Sequence, residues 1–351
     1  MNDDIIMNAF GDSAITADGH GPFVEGDYII VVSGFSNADF GSFQLFLDGI
    51  LLGWFNSLDE LKAMIAQTSR HTVRLSGANT RNAVDDSFAS RAANDSTGQQ
   101  GLSGILNGNI YSWVKISGVK ADSDEREFEM PLLQLGADIE ISPSLIAGLS
   151  LGGSRISYSA ENFAAEGSEW LIQPYLGWKF NGWYGTTTLT YGQQDYDEIE
   201  TGTQEATAKG QLWAIELAAA RDFEIGNDLT VTPLGSARAG VVKITETTGA
   251  LDDSTSDDRV NFKELSLGAN VSKPIGPGTL LAGVSADYFD TDAPIALISG
   301  DFDQTGLSGS ATLGYRAEIG SGLNIDAELR AGGLGSDQRD YSGSLQIGYT
   351  F

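Results

Sequence analysis

The stretch Tyr341-Ser-Gly-Ser-Leu-Gln-Ile-Gly-Tyr-Thr-Phe351 alternates without a break. Its odd positions are Tyr, Gly, Leu, Ile, Tyr and Phe, and its even positions are Ser, Ser, Gln, Gly and Thr. Successive residues of a strand point to opposite faces, so the segment has one apolar wall and one polar wall. Leu323 to Ala331 repeats the pattern, with Leu, Ile, Ala, Leu and Ala facing one way and Asn, Asp, Glu and Arg the other. Leu307 to Ile319 does so again. Asp326, Glu328 and Arg330 on the polar wall need water or partners. A soluble sandwich turns that wall outward, whereas a pore turns it inward.

Working outward from this end, twelve such segments lie near 109–119, 126–141, 145–158, 168–180, 182–196, 207–225, 228–244, 259–274, 279–290, 304–319, 322–332 and 339–351. The breaks after every second one are short and turn-forming: Ser142-Pro-Ser144, Asn181-Gly182, Gly226-Asn-Asp228, Gly276-Pro-Gly278 and Gly320-Ser-Gly322. The connections between them read as longer and polar, as in Glu246 to Asp258 and Thr291 to Asp303. An even strand count with short and long connections in alternation is the pattern of an outer-membrane barrel. The expected fold is therefore all-β: a twelve-stranded antiparallel transmembrane β-barrel over residues 108–351, with both barrel ends on one rim. Arg238, Arg316, Glu216, Asp138, Asp326, Glu328 and Arg330 are expected on its lumen wall, and Leu313, Leu329 and Ile347 toward lipid.

Composition agrees with this reading and excludes others. The 351 residues include 44 Gly and 8 Pro, and no run approaches the eighteen or so apolar residues that a spanning helix needs. The net charge of −28 argues against a nucleic-acid partner, which calls for a basic face. Cysteine is absent, which fits chance or a reducing compartment and equally suits a chain that crosses an oxidising compartment unfolded. Met1 to Phe10 has no basic segment followed by an apolar run, so the expectation is a chain that has lost an upstream signal peptide.

The first 107 residues differ in period. Tyr28-Ile-Ile-Val-Val32 and Phe43-Gln-Leu-Phe-Leu47 read as a β-hairpin within residues 1–54. In residues 57–93, Leu58, Leu61 and Ile65 suggest a helix. Ser57 and Glu60 supply a capping-box pattern, and Gly77 is expected to weaken or bend the helix. Asn94 to Gly108 is a polar, Gly-rich linker, so 55–107 forms a leader to the barrel. A helix of that length exceeds the apolar band and can thread the pore. Arg70, Arg74, Arg81 and Arg91 outnumber Asp85 and Asp86, and are expected to meet acidic wall residues, Asp138, Glu140, Glu216, Asp326 and Glu328.

Residues 58–351 resemble the autotransporter family (type V secretion) in its C-terminal translocator domain. The resemblance is carried by Leu133-Gln-Leu-Gly-Ala-Asp138, by Leu145-Ile-Ala-Gly-Leu-Ser-Leu-Gly152, by Gln173-Pro-Tyr-Leu-Gly177 and by the terminal stretch quoted above. It implies an outer-membrane barrel that exports or anchors an N-terminal passenger at the cell surface. Its partners would be outer-membrane lipid, the barrel-assembly machinery and its own passenger, and the barrel would be monomeric. The assembly signal it implies falls on Leu345, Ile347, Gly348, Tyr349 and Phe351. Self-cleaving members cut between two adjacent asparagines in the pore helix, and this sequence has no Asn-Asn pair. Residues 26–48 resemble the last strands of a prepeptidase-C-terminal-like sandwich, which would make 1–54 a passenger remnant. The competing reading is a free-standing porin or adhesin with working outer loops.

No enzyme, cofactor or metal site is expected. Gly148-Leu-Ser150-Leu-Gly152 matches the G-x-S-x-G pattern, but that motif needs a strand-to-helix elbow and a His base, and here it sits inside an alternating strand. The two histidines, His20 and His71, both precede the first barrel strand. Asp252, Asp253, Asp257 and Asp258 lack the fixed Gly and terminal Glu of a calcium hand. Trp113, Trp170, Trp178, Trp183 and Tyr184 lie near strand ends, and interfacial girdles account for most of them.

Overall fold

Every alternating segment pairs with its neighbours in one antiparallel sheet. The computed structural model describes residues 43–47, 50–55, 57–97, 110–123, 126–160, 163–201, 204–226, 228–249, 259–292, 305–319, 323–336 and 339–350. Strands β1 (Phe43–Leu47) and β2 (Ile50–Phe55) form a two-stranded sheet, followed by the helix α1 (Ser57–Thr97). The barrel then runs β3 (Ile110–Ser123), β4 (Arg126–Ser142), β5 (Leu145–Ala160), β6 (Phe163–Phe180), β7 (Trp183–Thr201) and β8 (Gln204–Arg221). After the three-residue β9 (Phe223–Ile225) come β10 (Leu229–Gly249), β11 (Arg259–Ile275), β12 (Gly278–Thr291), β13 (Thr305–Ile319), β14 (Leu323–Leu334) and β15 (Arg339–Thr350). Both β8 and β9 pair with β10, so they make one stave broken at Asp222. The last strand, β15, pairs with β3 along its whole length and closes a barrel of twelve staves.

Alternation sets the two faces. Along β4 buried and exposed residues alternate from Arg126 to Glu140. Leu133, Leu135 and Ile139 face outward, and Gln134 and Asp138 face inward. Leu313 (53% exposed), Leu329 (65%) and Ile347 (44%) also lie on the outer wall. An apolar belt so continuous would be an aggregation hazard in water and is the expected surface in lipid.

One rim, here the terminal rim, holds the start of β3 and the end of β15. The tight connections at 143–144, 181–182 and 276–277 lie there too. The Asn181-Gly182 turn has φ of 51° and 79°, the positive pair that a two-residue hairpin of matching twist requires.

One expectation needs correction. The connections on the other, distal rim are not uniformly long: β3–β4, β5–β6 and β7–β8 are separated by only two residues each. Polar residues such as Asp122, Glu127 and Glu200 continue the hydrogen-bonded ladder beyond the apolar belt, because a strand in water needs no apolar face. Phe43–Leu47 pairs with Ile50–Phe55, a segment the alternation did not single out, and Tyr28–Val32 lies outside the described residues. The helix α1 is continuous through Gly77, from Ser57 to Thr97. A Cβ at Gly77 would collide with the Glu216 carboxylate on β8, so glycine permits a close approach.

Candidate functional site in the barrel lumen

Helix α1 touches β3, β4, β5, β6, β7, β8, β10, β11 and β15, an encirclement that places it inside the barrel. Among the described residues no helix is long and apolar enough to cross a lipid bilayer, so α1 spans the lumen and not the membrane. Its 41 residues correspond to roughly 60 Å. Glu60 lies toward the distal rim, where its carboxylate accepts hydrogen bonds from Tyr158 (2.5 Å) and Arg126 (3.1 Å). Arg91 lies toward the terminal rim and pairs with Asp138 at 2.7 Å and Glu140 at 3.8 Å. The chain therefore passes through the pore with its N-terminal side at the distal rim.

The distal part of the lumen is apolar. Leu61, Met64, Ile65 and Val73 of α1 join Phe128, Met130, Ile156, Tyr158, Phe163, Tyr196, Ile244 and Phe262 in one buried cluster. His71 is buried there, stacked on Phe128 at 5.3 Å, and its Nδ1 lies 3.0 Å from Arg74. His20 lies outside the described residues.

Below it, α1 presents small polar side chains to a polar belt on the wall. Thr72 donates to Glu169 (2.6 Å), which also accepts from Gln194 (3.0 Å), and Gln194 donates to Ser69 (3.1 Å). Asn79 donates to Ser117 (3.1 Å) and Gln134 (3.0 Å), Thr80 donates to Gln173 (2.5 Å), and Gln173 donates to Ser76 (3.2 Å). Ser150, the centre of the G-x-S-x-G match, belongs to this belt: Gln134 donates to its hydroxyl at 2.9 Å. Each buried polar group that finds a partner avoids a desolvation cost of about 1–3 kcal/mol, which makes the belt specific for this seating of the helix.

Charges occupy the opposite wall. Arg238 on β10 lies between Glu216 on β8 (2.7 Å) and Glu264 on β11 (2.5 Å), its direct cross-strand neighbours. Arg330 bonds Asp287 (2.7 Å) and Asp340 (2.8 Å), and Asp340 also accepts from Arg74 of α1 (2.8 Å). Arg316 pairs with Asp326 (3.4 Å) and reaches Asp86 of α1 at 3.0 Å. Between residues 63 and 91 of the helix, Arg70, Arg74, Ala78, Arg81, Asn82, Asp85 and Ala89 are not fully buried, and they recur every three or four residues as one stripe. From Arg74 to Asp85 that stripe lines a cavity of about 380 Å³ whose far wall includes Arg238, Asp287, Glu328 and Arg330. Arg70 lies over the Phe289 ring at 4.2 Å.

The pairing thus differs from simple attraction between basic helix and acidic wall. Arg91 meets Asp138 and Glu140, but Glu216 and Asp326 are matched by wall arginines, and the acidic Asp86 on the helix meets the basic Arg316. Gln134, Gln173, Gln194, Glu169, Asp287 and Asp340 were not singled out from the sequence, although inward strand parity marks every one of them. Trp113 is not a girdle residue: it is buried in the lumen, where its indole donates to Tyr175 (3.0 Å), which donates to Asp138 (3.1 Å). Tyr184 also lines the inner cavity, while Trp170 and Trp183 are on the outer wall. The Asp252–Asp258 cluster and Phe351 lie outside the described residues.

The sequence profile described as "Autotransporter beta-domain" matches residues 109–288. This chain belongs to the autotransporter β-domain family. No curated protein sequence matches it. Among solved structures, the translocator domain of the autotransporter NalP from Neisseria meningitidis is similar with a TM-score of 0.57 and 16% identity, covering 76% of this chain and 98% of that one. The β-domain of the Bordetella autotransporter Brka is similar with a TM-score of 0.56 and 17% identity, covering 69% and 99%. At these identities the likeness concerns the fold, a closed barrel. The barrel is therefore an autotransporter β-domain, a fold that supports an outer-membrane location, and the lumen just described is the interior of that barrel with the helix in place.

Proposed function

We propose that this translocator exports an N-terminal passenger through its lumen and then anchors it at the cell surface, with residues 1–54 on the passenger side. The observation that carries this reading is the course of α1: the barrel sequence begins at the terminal rim, whereas the helix that precedes it has its N-terminal side at the distal rim. If the terminal rim is periplasmic, any chain ahead of Ser57 emerges outside. The packed lumen and the absence of an Asn-Asn pair in α1 favour retention of the passenger over release.

Leu345, Ile347 and Tyr349 are outward-facing on the closing strand and are suited, with Gly348 and Phe351, to be read by the barrel-assembly machinery. Closure of β15 on β3 leaves no unpaired strand edge between them, which suits a monomer. We assign no catalysis to the domain, since Ser150 is engaged by Gln134 and lies on a strand with no helical elbow.

An epitope tag inserted directly before Ser57 tests the orientation. It should bind antibody and be removed by added protease on intact cells. A tag protected until the outer membrane is broken would reverse the assignment of the rims.

A further inference from the structure

Helix α1 meets the polar belt through a pattern that repeats. Ser69, Thr72, Ser76 and Thr80 follow one another at three or four residues, and each is hydrogen-bonded to the wall. Residues at that spacing share one helix face, one turn above the other. A slide of α1 by four residues, about 6 Å, sets Thr72 where Ser76 was and Ser76 where Thr80 was, opposite the same Gln173. Leu61 and Ile65 recur at the same interval in the apolar cluster. The end pairs are made by Glu60 and Arg91, whose long side chains can follow part of that movement. The belt holds the helix, but its periodicity leaves the register open.

Gly77 breaks the periodicity. It is the single glycine of α1, and the residues one or two turns away, Arg70, Val73, Arg74, Thr80, Arg81 and Val84, all carry larger side chains. Opposite it, the Glu216 carboxylate occupies the space that a Cβ would take. A carboxylate on a flexible stem could ordinarily swing aside. Glu216 is fully buried, however, and Arg238 holds its Oε2 at 2.7 Å while bonding Glu264 at 2.5 Å. The three residues occupy directly paired positions on β8, β10 and β11, so the brace is part of the sheet. The other oxygen, Oε1, is buried without a hydrogen-bond partner and lies against the helix at Gly77. Any slide by a turn presses a side chain into this carboxylate, and overpacking a well-packed site is destabilising.

We propose that Glu216, braced by Arg238 and Glu264, is a positioning residue that admits Gly77 alone, so that α1 halts in one register and the chain ahead of Ser57 leaves the pore at a fixed residue. The consequence at the surface rests on the anchoring role proposed above; the register itself is a property of the seated helix.

Disulfide mapping of the full chain, folded in detergent and mildly oxidised, tests it, since there is no native cysteine. Ser117→Cys is combined with Asn79→Cys, its partner at 3.1 Å, or with Leu75→Cys or Ala83→Cys, one turn to either side. Otherwise unaltered, the chain should crosslink through residue 79 only. Glu216→Ala should raise crosslinking through 75 or 83 by about tenfold. Gly77→Leu should do the same at the expense of residue 79. Thr188→Ala, directly across the ladder from Glu216, and Ala78→Leu, facing the cavity, should keep the wild-type pattern. Heat-modifiability verifies that each variant folds. Crosslinking through residue 79 alone in either Glu216→Ala or Gly77→Leu would overturn the proposal, as would the same slide in the two controls. A tag ahead of Ser57 that is hidden on intact cells would reverse the rims and leave these crosslinks as they are, so register and direction are tested separately.

Discussion

The two parts of the lumen treat the same helix differently. Toward the distal rim, Leu61, Met64 and Ile65 are enclosed by apolar side chains that point inward from strands which, in an open pore, would present polar ones. Further along, the helix leans on a polar belt to one side, at Gln134 and Gln173, and leaves a charged cavity on the other, lined by Arg81, Asp85 and Glu328; near the terminal rim Val84 and Phe88 also enter a smaller apolar cluster with Tyr111, Trp113, Ile146 and Tyr175. Burial of apolar area stabilises the first region without fixing a unique geometry. Hydrogen bonds and ion pairs in the second are directional and penalise any other rotation of α1. The difference points to a division of labour: the distal region excludes water, and the terminal region sets how the helix is seated.

The largest expected effect removes both at once. Deleting residues 1–107 should convert a small or flickering channel in planar bilayers into a larger, steady one. Identical conductance with and without the segment would mean that α1 does not obstruct the pore.

A charge placed on α1 sharpens the contrast. Ile65→Asp buries an unpaired carboxylate among apolar side chains and should destabilise the seated helix by roughly 3–5 kcal/mol, seen as increased conductance. Ala78→Asp, on the stripe facing the cavity, should remain near the wild type. Equal effects would erase the distinction between the two regions.

Much of this was legible in the sequence, and the misses have identifiable causes. Strand parity alone assigns Leu329 to the outer face and Arg238 to the inner face, because a period of two leaves only those choices. The same parity marks Phe128, Met130, Ile156 and Tyr158 as apolar residues pointing into a lumen, which is the signature of a filled pore. Trp113 was misread because proximity to a strand end was given more weight than its parity with Lys115 and Ser117. Which wall residue meets which helix residue was not legible. The helix period fixes the stripe through Arg74, Ala78 and Asp85 but not its rotation against the wall, so the pairing of Asp86 with Arg316 could not be read.

Smaller effects probe the terminal region. Arg238→Ala leaves Glu216 and Glu264 side by side without their shared cation and should cost about 3 kcal/mol in denaturant titration, moderated by the adjoining cavity. Gly77→Ala should cost about 1–3 kcal/mol by overpacking against Glu216, and Glu216→Ala in the same chain should recover part of that loss. Additive costs in the double variant would mean that the two positions are not in contact.

The central claim, a dry distal lumen and a wet cavity confined to one face of α1, is tested most directly by thiol labelling, since the chain has no native cysteine. Ala66→Cys sits in the distal region, where Ala66 is 3% exposed and packs with Val260, and Ala78→Cys faces the cavity. With a charged, membrane-impermeant reagent added to the folded protein, Ala78→Cys should be modified quickly and Ala66→Cys should be protected until the barrel is denatured. Equal rates at the two positions, or faster modification of Ala66→Cys, would contradict the account.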